Sequence, residues 1–129
     1  MILPPLLRPG DTVGVIAPSG PVDRERLLDG IFYLQRRGYG VQEGASLYAR
    51  TRYLAGSDAD RAADLNQMLG DREVRAIFTA RGGYGSARLL DLVDYDLVRE
   101  DPKIFVGFSD TTALQLGLYA RTGLVSYSG

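Results

Sequence analysis

At 129 residues, 45% of them hydrophobic, the chain has the size of one domain and enough apolar material for one buried core. Its 15 basic and 16 acidic side chains leave a net charge of -1, which excludes a general attraction to nucleic acid or to an anionic membrane surface. It has neither cysteine nor histidine, so disulfides and thiolate or imidazole metal sites are excluded, and a zinc site would need carboxylates alone.

The N-terminal stretch "MILPPLLRPGD" is apolar but interrupted by prolines. It has no basic n-region and no small-residue cleavage site after it, and reads as a mature cytoplasmic start. No transmembrane span is expected anywhere. "TVGVIA", Thr12 to Ala17, is a strand by its β-branched content and its bounding Gly10 and Pro18. "PSGPVD" turns the chain, and Asp23 is placed to cap a helix over about Arg24 to Arg37, with Leu27, Leu28, Ile31, Phe32 and Leu34 as its apolar face. Gly38 stops that helix, and Tyr39 to Glu43 reads as a second strand. "SLYARTRYLAGSD" is long enough to be a functional loop. Ser57 or Asp58 then caps a helix that buries Ala62, Leu65, Met68 and Leu69.

Val74 to Ala80 makes a third strand, "RGGYG" the loop after it, and Ser86 to Val93 a short helix. Lys103 to Phe108 is a fourth strand, Thr111 to Arg121 the next helix, and Leu124 to Tyr127 the start of a fifth strand. Such alternation predicts an α/β domain with a mainly parallel sheet and helices on both faces, a flavodoxin- or Rossmann-like three-layer sandwich, because parallel strands need crossover connections. Ligands of such sheets bind at the carboxyl ends of the strands. Three loops fall there: "APSGPVD", "ARGGYGS" and "GFSDTT".

Two of these loops admit two readings each. In "GFSDTT", Ser109 or Asp110 is either the N-cap of the following helix or part of a nucleophile elbow, a tight strand-to-helix turn that pushes a serine hydroxyl over the sheet edge. Gly107 gives room for the turn, and Thr111 stands where G-x-S-x-G has its last glycine. "RGGYGS" is not a P-loop, and Arg88 occupies the third glycine position of G-x-G-x-x-G, so it does not support a nucleotide site. It is either a glycine-permitted turn or a set of backbone amides that can approach a carboxylate or a developing oxyanion. Arg81 is either a solvated surface group or an added positive charge there.

Taken together, "VIAPSGPVD", "YLAGSDADRAADLNQML", "AIFTARGGYGSARLLDLVDYD" and "DPKIFVGFSDTTAL" resemble, in order and spacing, the N-terminal domain of the serine LD-carboxypeptidases, or muramoyltetrapeptide carboxypeptidases, and of the related microcin C immunity peptidases. The resemblance implies Ser109 as the nucleophile, with the amides of Asp110 and Gly83 as the two halves of an oxyanion hole. It implies no metal or organic cofactor. Arg81, Gly82, Tyr84 and the "LYARTRYLAG" loop are candidates for contacting substrate. The family's glutamate and histidine lie in a second, C-terminal domain that is absent from this chain, and its members often form homodimers.

Residue chemistry agrees with a divided site. A serine hydroxyl needs an adjacent base, and the chain has no imidazole. Lys103, the only lysine, opens the fourth strand about 6 residues, or roughly 20 Å, from Ser109, so a Ser-Lys dyad is not expected. The expectation is residues 1–129 as the nucleophile-bearing domain of a cytoplasmic peptidase that removes D-Ala from murein tetrapeptide in cell-wall recycling, inactive by itself. The alternatives are a microcin C immunity-type peptidase and a non-catalytic binding module of the same fold.

Overall fold

A computed structural model describes residues 1–129. The chain alternates β1 (Thr12–Ile16), α1 (Arg24–Arg36), β2 (Gly40–Glu43), α2 (Asp58–Gly70), β3 (Val74–Thr79), α3 (Tyr95–Glu100), β4 (Ile104–Gly107), α4 (Thr112–Thr122) and β5 (Tyr127–Ser128). All strand pairings are parallel, in the order β2-β1-β3-β4-β5. This is the doubly wound α/β architecture that the alternation predicts.

Period-two alternation in the strands sorts the core into two layers. Ile16, Ile77 and Phe105 pack with Leu65, Met68, Val98, Leu114 and Leu118, which puts α2, α3 and α4 on one face. Val13, Val15 and Ala76 face the other way, toward Leu27 and Leu34 of α1. Local chemistry starts the helices. Asp23 accepts the amides of Glu25 and Arg26 at the head of α1, and Ser57 accepts that of Asp60 at the head of α2.

Three expectations are corrected and one helix is added. The helix expected over Ser86 to Val93 is a single 3-10 turn, Ser86–Leu89, after which the amides of Leu92 and Val93 both turn back to the Leu89 carbonyl. Helix α3 went unread: it has six residues, and Val98 is its only buried one, which leaves no apolar period to see. The fifth strand begins later than Leu124. Leu124 instead forms an isolated parallel bridge with Ile2, which ties the N-terminus to the sheet, and β5 pairs Tyr127 and Ser128 with Val106 and Gly107. Phe32, expected on the buried face of α1, is 52% exposed; Ile31 is the buried residue there.

At the amino edge of the sheet Lys103 is 1% exposed. Its Nζ donates to the carbonyls of Asp71 (2.7 Å) and Val74 (2.6 Å) and to Asp101 Oδ2 (2.8 Å), while Arg75 reaches the same carboxylate at 3.0 Å. Burial pushes the Lys103 ammonium below the usual lysine range, though Asp101 opposes it. Burial also acts to raise the Asp101 carboxyl, but Arg75 and Lys103 outweigh it and hold that group below the ordinary carboxylate range. No helix is long and apolar enough to cross a membrane.

Candidate active site at the carboxyl edge

Because β1, β3 and β4 are neighbours in the sheet, the loops that leave their carboxyl ends are neighbours too. They bring Ser19 and Gly20, Gly82 and Gly83, and Ser109 and Asp110 into one cluster. The Gly20 amide donates to the Gly82 carbonyl at 3.0 Å. A Cβ on Gly82 would lie 2.9 Å from Ser109 Cβ and 3.0 Å from its Oγ, so only glycine lets the "RGGYG" backbone come this close to the serine.

Ser109 is solvent-exposed and has φ +56°, the left-handed region, a conformation that costs a non-glycine residue about 1–2 kcal/mol. It begins a 3-10 turn, Ser109–Thr111, between β4 and α4. The helix-cap alternative fails on geometry. No Ser109 side-chain atom takes part in a hydrogen bond to the first turn of α4, and the turn is closed by the buried Thr111, whose Oγ1 accepts the Phe108 amide at 2.7 Å and donates to the Phe108 carbonyl at 2.8 Å. Gly107 is close-packed against the same hydroxyl: a Cβ there would meet Thr111 Oγ1 at 2.5 Å. The strand-to-helix turn is therefore sharp, and the serine sits at its apex.

The other candidates are distributed around this apex. Gly83, at φ +114°, and Asp110 both have backbone amides that donate no hydrogen bond within the protein. Arg81 is exposed, but its Nη1 donates to the Pro21 carbonyl at 2.6 Å, so the guanidinium is held against the β1 loop. Tyr84 is 71% exposed and stacks edge-on with Tyr53 of the long loop, ring centroids 6.1 Å apart. Beside the cluster an apolar groove of about 650 Å³ runs between α1 and the open half of the sheet, past Val22, Leu27 and Phe78 to Arg81 and Phe108.

Three residues of the cluster escaped the sequence reading. Asp110 Oδ2 accepts from the Ser19 hydroxyl at 2.7 Å and from the Ser86 amide at 2.9 Å, and Ser19 and Ser86 are both fully buried. Arg61, 1% exposed on α2, donates to the carbonyls of Pro18 (2.7 Å), Gly56 (3.2 Å) and Gly85 (3.0 Å) and pairs with Asp58, which also holds Arg88. Burial pushes the Arg61 guanidinium down, and Asp58 acts against it. A signal for Arg61 exists in the sequence. It shares the i, i+4, i+7 stripe of Leu65 and Met68, and an arginine in a buried stripe must spend its donors on partners.

The chain as a whole is similar to known proteins. Residues 13–129 match the family described as LD-carboxypeptidase N-terminal domain. The Bacillus subtilis protein named "Probable murein peptide carboxypeptidase" is 44% identical over 126 residues, 98% of this chain and 40% of that protein. The microcin C7 self-immunity protein MccF of Escherichia coli is 36% identical over 93% of this chain and 36% of its own length. A structure of the MccF immunity protein, in complex with aspartyl sulfamoyl adenosine, superposes with a TM-score of 0.95 at 35% identity, covering 98% of this chain and 38% of that one. Muramoyltetrapeptide carboxypeptidase from Oxalobacter formigenes superposes at 0.81 with 32% identity, over 92% of this chain and 39% of that one. The chain thus spans about two fifths of the length of these relatives.

Proposed function

The chain belongs to the family of LD-carboxypeptidase N-terminal domains, and from that premise we propose that it is the nucleophile-bearing half of a serine peptidase. Ser109 Oγ attacks the carbonyl carbon of the peptide bond between the L-centre of a diamino acid and a terminal D-Ala of murein tetrapeptide. The oxyanion that forms is taken up by the amides of Gly83 and Asp110, the D-Ala amine leaves, and water hydrolyses the acyl-serine. The positive end of α4 adds a favourable field at that point. Arg81, Gly82 and Tyr84 are assigned to the substrate-contacting rim. No metal or organic cofactor takes part.

The observation that carries this reading is the strained, exposed Ser109 next to two amides with unspent donors. Ser109 Oγ has no proton acceptor among these residues, and Lys103 is committed at the opposite edge of the sheet. On this reading, as the family resemblance implies, the base comes from a second domain, and the assembled enzyme is assigned as a homodimer working in the cytoplasm. The closer superposition on the immunity protein supports a second reading, in which the same serine and amides act on an aminoacyl-nucleotide.

The test is release of D-Ala from murein tetrapeptide by the full-length polypeptide that carries residues 1–129, by its Ser109→Ala variant, and by residues 1–129 alone. Activity is expected only in the first, with a loss of at least about 1,000-fold on Ser109→Ala. Hydrolysis of an aminoacyl sulfamoyl nucleotide in place of tetrapeptide would move the assignment to the second reading. A full-length polypeptide inactive on both would leave a binding module.

A further inference from the structure

Asp110 contributes a side chain as well as an amide. Its Oδ2 takes donors from two other loops, the Ser19 hydroxyl and the Ser86 amide, while the Ser86 hydroxyl returns a hydrogen bond to the Asp110 carbonyl at 2.6 Å. One carboxylate oxygen thus joins three segments that lie 91 and 24 residues apart in the chain. On the far side of the same two serines, Arg61 Nη1 holds the carbonyls of Pro18 and Gly85, the residues just before Ser19 and Ser86. The Pro18-Ser19 and Gly85-Ser86 units are therefore gripped from both ends, by a guanidinium on the carbonyl and a carboxylate on the hydroxyl or amide.

We propose that Asp110, backed by Arg61, is a positioning residue that aims both amides of the anion cradle before substrate arrives. This rests on the reading that the Gly83 and Asp110 amides bind the oxyanion. Anchoring the Asp110 side chain fixes the direction of its own amide. Anchoring Ser86 restrains Gly83 three residues earlier, and the same ties hold Ser109 in a backbone state that a loosened turn would leave. An aspartate at a strand-to-helix joint ordinarily caps the helix; this one accepts no amide of α4. A negative charge beside a developing oxyanion would oppose the chemistry unless it were spent on donors, and here two buried donors and a nearby guanidinium spend it.

The experiment measures D-Ala release by the full-length polypeptide as wild type, Asp110→Ala, Asp110→Asn, Ser19→Ala and Ser109→Ala, each at a temperature well below its own melting transition. Misplacing catalytic dipoles by about 1 Å costs on the order of 100-fold, so Asp110→Ala is expected to lose about 100-fold in kcat with KM held within about 2-fold. Asparagine keeps an oxygen in the same place, and Asp110→Asn should recover most of that loss. Ser19→Ala, which deletes one hydroxyl, should lose about 5- to 10-fold in kcat, and it carries the test if Asp110→Ala does not fold.

A merely structural role would lower the melting temperature and leave kcat of the folded enzyme alone. An Asp110→Ala or Ser19→Ala enzyme with wild-type kcat overturns the proposal, as does an Asp110→Asn enzyme no better than Asp110→Ala. Those results, with Ser109→Ala dead, reject the positioning role while the peptidase reading stands. A wild type that hydrolyses neither tetrapeptide nor an aminoacyl sulfamoyl nucleotide, or a Ser109→Ala variant as active as wild type, rejects the peptidase reading and the positioning role together; if only the nucleotide is hydrolysed, the same variants are compared on that substrate.

Discussion

The two edges of one sheet treat polar groups in opposite ways. At the amino edge Lys103, Asp101 and Arg75 are drawn together under cover, and each of the three Lys103 donors has its acceptor. At the carboxyl edge Ser109 is exposed on a left-handed backbone, and the amides of Gly83 and Asp110 have no acceptor in the protein. Burying a paired charge closes one end of the sheet; strain and unspent donors hold the other open. The contrast is what separates a group that serves stability from one available for chemistry, since amides that no protein acceptor occupies are free to bind a ligand's developing charge.

The largest effect that sharpens this contrast should come from Lys103→Ala. It strips the buried Val74 carbonyl and the part-buried Asp71 carbonyl of their lysine donor and leaves the Asp101 carboxylate with Arg75 alone, and about 3–5 kcal/mol of stability is expected to go in a denaturant titration, with no change in kcat per folded molecule of the full-length polypeptide. Gly82→Ala attacks the other edge. Its Cβ must push Ser109 aside, and the expected result is about a 100-fold fall in kcat against a stability loss of only about 1–3 kcal/mol.

Smaller still is the strain itself. Ser109→Gly removes the left-handed penalty and Ser109→Ala keeps it, so the glycine variant should be about 1 kcal/mol the more stable of the two, with both expected to be inactive. Equal stabilities would remove strain from the description of the turn. The mildest probe is acid. Asp101 is held below its unfolded value, so its contribution is present above the ordinary aspartate range and is lost as pH falls through the lower, folded-state value. Denaturant midpoints should therefore drop in that acid window, and the drop should shrink in Asp101→Asn.

Much of the fold was legible because the buried strands are short β-branched runs and the long helices carry their own caps at Asp23 and Ser57. What failed to show was structure with little local signal. Helix α3 buries one side chain, and Leu124 takes its bridge from Ile2 at the other end of the chain. The site divides along the same line. Ser109 and the glycines of "RGGYG" can be picked out because their neighbours in sequence announce a tight turn. The Asp110 carboxylate, Ser19, Ser86 and Arg61 come together only when three loops meet, and a serine in "PSG" looks like any turn residue until its hydroxyl has a partner 91 positions away.

The most direct test of the central claim is to treat the full-length polypeptide with a fluorophosphonate that phosphonylates activated serines, and to map the adduct by peptide mass spectrometry. One adduct is expected, on Ser109, formed at a rate that tracks the loss of D-Ala release and absent when residues 1–129 are treated alone. An active enzyme whose adduct maps to any other serine, or whose Ser109→Ala variant is labelled and inhibited as before, would contradict it.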